Sequence, residues 1–114
     1  MTQALHIGDQ ESFRYRNLEI DWREMRVAVD AVDVHLSPIE FRLLSLLVRR
    51  RGWVVQYEQI LRDVWGSSYI ADRANLKLYI WYLRRKIERD PSRPVLIQTK
   101  RGSGYIFAPR SLEA

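Results

Sequence analysis

The stretch from Arg73 to Arg89 restricts this chain more than any other part of it. Placed on a helix at about 100° per residue, Leu76, Ile80, Leu83 and Ile87 line one narrow stripe, with Tyr79 at its edge. The opposite side presents Ala74, Leu78, Trp81, Tyr82, Arg85 and Arg89, with Lys77, Arg84 and Lys86 on the flanks. Such a helix can be held only by its stripe, which leaves a basic and aromatic back facing outward. A back of that kind is shaped for a groove, and the major groove of duplex DNA, about 12 Å wide, admits one α-helix.

The charge distribution agrees. The net charge of +5 over 114 residues hides a division: residues 1–40 carry four basic and eight acidic side chains, residues 41–114 fifteen and six. Between Arg73 and Arg101 nine basic residues stand against Glu88 and Asp90 alone. Sixteen of the nineteen basic residues are arginine, whose forked donors match phosphate oxygens and guanine edges. A polyanion, chiefly nucleic acid, is the partner such a segment implies. A solvated helix face can carry the same charge, so position has to decide.

The rest of the pattern supplies the position. Residues 1–11 read as a leader or linker remnant and 110–114 as a tail, leaving one domain over 12–109. Short alternating pieces, Phe13–Tyr15, Leu18–Ile20, Met25–Val29 and Val32–His35, predict a small antiparallel meander. Ser37-Pro38-Ile39-Glu40 then opens a helix with a capping box and a proline in its first turn. Phe41, Leu43, Leu44, Leu47 and Val48 continue it until Gly52 provides a left-handed stop after Arg49–Arg51. Trp53–Val55 reads as a brief extended link, Tyr57–Trp65 as a second helix, and Arg73–Arg89 as the third. An i, i+4 surface ion pair between Arg84 and Glu88 is expected along it. Last, Val95–Thr99 and Tyr105–Phe107 flank Lys100-Arg101-Gly102-Ser103-Gly104, a hairpin with a basic tip. The architecture predicted is α+β: a winged helix-turn-helix with a small N-terminal antiparallel sheet, three helices and a C-terminal β-hairpin wing.

Catalytic chemistry finds no footing. The chain has no cysteine, which removes disulfides, thiolate metal sites and cysteine nucleophiles together. Its two histidines, His6 and His35, have no Cys/His/Asp cluster around them, so neither metal nor cofactor is expected. Gly102 and Gly104 belong to a hairpin tip rather than a phosphate loop, since no Walker lysine-serine or following helix exists. No apolar run approaches membrane-spanning length, and the first residues do not read as a signal peptide, so a cytoplasmic, non-enzymatic protein without membrane contact is expected.

Three ordered motifs carry a family resemblance. HLSPIEFRLLSLLVRRRGWVVQYEQILRDVWG, then LKLYIWYLRRKIERDPSRP, then IQTKRGSGYIF resemble the winged-helix effector domain of OmpR/PhoB-type bacterial response regulators, over about His35 to Phe107. The run Leu76 to Lys86 is most similar to the KdpE subgroup, which regulates potassium-transport genes. The resemblance implies that 73–89 is a recognition helix whose Lys77, Leu78, Trp81, Tyr82, Arg84 and Arg85 face DNA. It implies that Thr99 and Arg101, joined by Lys100 at the tip, meet the backbone or minor groove. The loop Gly66, Ser67, Ser68, Tyr69, Ile70, Ala71 and Asp72 matches the segment that touches RNA polymerase. Members bind direct-repeat promoter DNA as tandem dimers, and carry a receiver domain phosphorylated by a sensor kinase; the isolated domain is expected to be a monomer.

Four positions depart from the family pattern. Trp81 and Tyr82 stand where relatives place polar or basic readers. Our expectation is partial packing of Trp81 on the wing or the 66–72 loop, and DNA contact for Tyr82. Gln56 replaces a Ser or Thr cap at the second helix, and Lys100 replaces an apolar wing residue. The competing reading is a winged-helix interaction module in which Leu78, Trp81 and Tyr82 bind RNA polymerase or another protein.

Overall fold

Polar turns and short alternating runs give the N-terminal segment its four strands. The computed structural model describes residues 11–66 and 72–109, so most of the leader, most of the 66–72 loop and the tail lie outside the described residues. The chain divides into two compact units, one reaching Leu36 and one beginning at Ser37.

In the first unit β1 (Ser12–Tyr15), β2 (Leu18–Asp21), β3 (Arg26–Val29) and β4 (Val32–Val34) form an antiparallel sheet in sequence order. Register is set by short connections: Tyr15 pairs with Leu18, Asp21 with Arg26 and Val29 with Val32. Asp30 and Ala31 both take positive φ, as the tight two-residue hairpin turn demands. Alternation puts Leu18, Ile20 and Val27 on one buried face. The other face carries Arg14 opposite Glu19 (3.3 Å) and Arg26 near Asp33 (3.8 Å). The predicted meander is what forms.

The second unit begins with α1 (Pro38–Arg49). Its capping box closes in both directions: Glu40 N–H donates to Ser37 Oγ (3.2 Å), and Ser37 N–H to Glu40 Oε1 (2.8 Å). The helix proper ends at Arg49, and Gly52, at positive φ, donates its N–H to Phe107 O (2.9 Å). The link after Gly52 is more than a connector. Its last residue opens β5 (Val55–Gln56), which pairs with β7 (Gly104–Phe107), itself paired with β6 (Ile97–Lys100). Thus the wing is the outer part of a three-stranded sheet in the order β5-β7-β6.

Gly104 is explained by that sheet rather than by the hairpin tip. A Cβ there would lie 1.9 Å from the Val55 carbonyl oxygen, so only glycine lets β5 approach. Gly102 serves the turn, where its φ of +81° suits the third position of a type II turn closed by Ser103 N–H on Lys100 O (2.8 Å).

Helix α2 (Tyr57–Trp65) has the predicted bounds, and Gln56 makes no side-chain cap bond. Arg42 Nη1 reaches from α1 to Val64 O near the end of α2 (2.9 Å). Helix α3 (Arg73–Ile87) is capped by Asp72, whose carboxylate accepts from Asn75 N–H (3.2 Å). Leu76, Ile80, Leu83 and Ile87 are all within 1 % of complete burial, as their spacing predicts. Each contributes about 2 kcal/mol of burial free energy. With Leu43, Leu44, Leu47, Val48, Ile60, Leu61, Val64 and Phe107 they belong to the core of this unit.

The predicted third helix is two residues too long. At Glu88 the backbone turns extended (ψ 142°), because its carboxylate is used elsewhere. It accepts from the N–H groups of Val95 (2.9 Å), Leu96 (3.0 Å) and Ile97 (2.8 Å). The expected Arg84–Glu88 surface pair is therefore not formed: Glu88 is buried and ties the start of the wing strand to the end of α3.

Candidate nucleic-acid interface

The back of α3 is presented by ties on its flanks. At its N-terminal end Arg73 Nη2 donates to Glu58 of α2 (2.8 Å), and Arg73 Cζ lies 4.4 Å from the Tyr57 ring centroid. That bond holds the exposed Glu58 carboxyl below its ordinary pKa. Near its C-terminal end Lys86 Nζ donates to Glu40 Oε1 of α1 (2.7 Å). Burial by itself would raise the Glu40 pKa. The bonds from Lys86 and from Ser37 N–H outweigh it and hold the carboxyl below the ordinary value.

Between these ties the outward face carries Lys77, Leu78, Trp81, Tyr82 and Arg85, all exposed. Trp81 is 52 % exposed, and residues 67–71 of the loop on which its packing is expected lie outside the described residues. Its ring takes Arg85 Cζ at 4.7 Å from the centroid, and meets Tyr82 edge-on at 5.7 Å. Tyr82 continues to Tyr79 (5.6 Å) and Tyr79 to Trp65 (5.5 Å), so an aromatic row runs from α2 to the exposed face of α3. Arg85 and Trp81 meet because residues four apart lie one above the other on a helix.

One residue earlier the outcome is opposite. Arg84 turns toward the wing, where Nε and Nη2 donate to Ile97 O (3.1 and 2.9 Å) and Nη2 also to Thr99 Oγ1 (3.0 Å). Its guanidinium lies 5.9 Å from the Tyr105 ring centroid. Burial lowers the Arg84 pKa and raises that of Tyr105, yet a guanidinium this basic stays charged. Arg84 and Thr99, both expected on DNA, are brought together as a strut between α3 and β6. Lys100 and Arg101 are exposed at the far end of that strand and its turn.

The structure thus gathers Lys77, Leu78, Trp81, Tyr82 and Arg85 on one face of α3. It places Arg84 and Thr99 behind them and Lys100 and Arg101 on the wing. Of the expected polymerase loop, Gly66 and Asp72 are described: Gly66 ends α2 at φ +105° and Asp72 caps α3. Ser67 to Ala71 lie outside the described residues. Glu40, Glu58 and Glu88, which hold the face in place, were not legible as a set. Only the Glu40 capping box gave a local signal. Among the described residues no group of three His, Cys, Asp or Glu side chains could hold a metal ion. No helix among them is long and apolar enough to cross a membrane.

Comparison with known proteins agrees with this geometry. Residues 31–107 match the family model described as "Transcriptional regulatory protein, C terminal". The transcriptional regulatory protein KdpE of Mycobacterium tuberculosis is 40 % identical over 88 residues, covering 77 % of this chain and 39 % of that protein. The chain thus spans about two fifths of the length of that curated relative. A crystal structure of DrrB, a Thermotoga maritima OmpR/PhoB homolog, superposes with a TM-score of 0.84 at 30 % identity, over 91 % of this chain and 47 % of that one. The RstA DNA-binding domain of Klebsiella pneumoniae, solved in complex with the RstA box, gives 0.79 at 27 % identity, over 88 % and 99 %. With three helices and two antiparallel sheets among its described residues and a match over most of its length, this chain belongs to the C-terminal domain family of transcriptional regulatory proteins, in its OmpR/PhoB winged-helix form.

Proposed function

We propose that residues 12–109 bind duplex DNA sequence-specifically, as the effector domain of a two-component response regulator that controls transcription. Helix α3 enters the major groove with Lys77, Leu78, Trp81, Tyr82 and Arg85 toward bases and flanking phosphates. Lys100 and Arg101 reach the adjacent backbone or minor groove. Arg84 and Thr99 act from behind, fixing the wing's distance from the recognition helix.

One observation carries this reading: α3 buries its apolar stripe completely while the exposed opposite face holds cations beside a basic hairpin turn. The RstA domain, of similar fold, is solved on its DNA box, which supports the same mode here. On this reading the full-length protein adds a receiver domain addressed by a sensor kinase. Two copies occupy direct repeats as a dimer, the domain alone is a monomer, and Gly66–Asp72 meets RNA polymerase in the cytoplasm of a bacterium.

Titrating labelled promoter DNA with the domain at several salt concentrations tests the proposal. Neutralising about five to seven phosphates predicts a log–log slope of about −4 to −6 per monomer. A flat salt dependence contradicts it and favours a protein partner for the same face.

A further inference from the structure

We infer that Trp81 and Arg85 act as one unit that reads a guanine with a thymine beside it; the inference rests on the DNA-binding reading above. The two side chains are already assembled. Arg85 Cζ lies 4.7 Å from the Trp81 ring centroid, and both residues stand on the exposed face of α3. The indole also meets the Tyr82 ring edge-on at 5.7 Å, and Tyr82 is itself in contact with Tyr79. A guanidinium lying on an aromatic ring loses less rotamer freedom when it docks than a solvated one does.

The chemistry of the pair selects the bases. In the major groove a guanidinium fork matches the O6 and N7 acceptors of guanine. The indole, held against that fork, then covers the edge of the neighbouring base pair. Cytosine presents an amino donor there and adenine a donor and an acceptor, and an apolar ring strips water from both without replacing the hydrogen bonds. Thymine presents a methyl group, which the ring can touch at no such loss. Arg84 makes no equivalent unit, because its Nε and Nη2 are bound to Ile97 O and Thr99 Oγ1.

Selection of duplexes from a random pool by the wild type, Trp81→Ala and Arg85→Ala tests this, with circular dichroism confirming that each variant is folded. The wild type should enrich a site containing guanine flanked by thymine. Arg85→Ala should lose the guanine preference, whereas Trp81→Ala should lose the thymine preference and weaken that for guanine. Replacing that dT by dU removes only the methyl group. It should weaken wild-type binding about three- to tenfold and leave Trp81→Ala unchanged. Wild-type enrichment with an unaltered Trp81→Ala profile, or a dU site bound as tightly as dT, overturns the inference alone. Failure of the wild type to enrich any sequence overturns the DNA-binding reading and the inference with it.

Discussion

In the N-terminal sheet Arg14 faces Glu19 at 3.3 Å, Arg23 meets Glu11 at 2.8 Å and Arg26 lies 3.8 Å from Asp33. In the helical unit Arg42 and Arg84 donate instead to the carbonyl oxygens of Val64 and Ile97. The difference decides which surface can attract a polyanion. A carboxylate partner cancels the charge of an arginine, while a carbonyl anchors it and leaves the charge in the field. Arg73 and Lys86 do meet carboxylates, at the two ends of α3, where they serve as ties. Among the described residues Lys77, Arg85, Lys100 and Arg101, between those ties and on the wing, have no carboxylate within ion-pair distance. Arginine count alone would not have revealed this, since the sheet region also contains arginines.

Of the two buried carboxylates described in the helical unit, Glu88 gives the largest expected effect. Glu88 accepts backbone N–H groups rather than an arginine. Glu88→Ala leaves those donors unpaired, two of them on buried residues, and should destabilise the domain by about 3 kcal/mol in urea unfolding. A loss under about 1 kcal/mol would mean that Glu88 does not hold the wing strand.

Next comes the contrast between neighbours. Arg84→Ala should cost about 2 kcal/mol of stability, because two carbonyl bonds and the Thr99 bond are lost. Arg85→Ala should change stability by less than about 0.5 kcal/mol and instead weaken DNA binding by about 1–3 kcal/mol. Thermal unfolding and DNA titration of both variants, run side by side, separate anchor from reader. Interchanged effects would reverse the assignment.

A smaller effect concerns the tie at Glu40. Its carboxyl is held below its ordinary pKa in the folded state. The stability it contributes is therefore complete at neutral pH and is lost as pH falls through that lowered value, on the acid side of the ordinary glutamate range. Glu40→Gln should cost about 1 kcal/mol at neutral pH and flatten this part of the stability-versus-pH curve. A variant with the wild-type acid profile would exclude Glu40 as the titrating group.

Local signals were legible and long-range ones were not. The Ser37–Glu40 box, the bounds of α2 and the Leu76–Ile87 stripe are written within a few residues, and all three form as read. The pairing of β5 with β7 joins segments some fifty residues apart through only two residues, too few to show alternation. Glu88 looks like an ordinary helix-surface glutamate, because its partners lie beyond the Pro91–Pro94 turn. Helical geometry put Arg84 and Arg85 together on the outer half of α3. Only the position of the Ile97 carbonyl separates them. The stacking of Arg85 on Trp81, by contrast, follows from their i, i+4 spacing.

The central claim is that uncompensated cations on α3 and the wing, not net charge, make the DNA contacts. Salt-dependent DNA titration of two double variants tests it, since each removes the same charge. Arg85→Gln with Arg101→Gln should reduce the magnitude of the log–log slope by about 2, and Arg14→Gln with Arg26→Gln should leave it unchanged. Equal changes from both pairs, or no change from the first, would contradict the account.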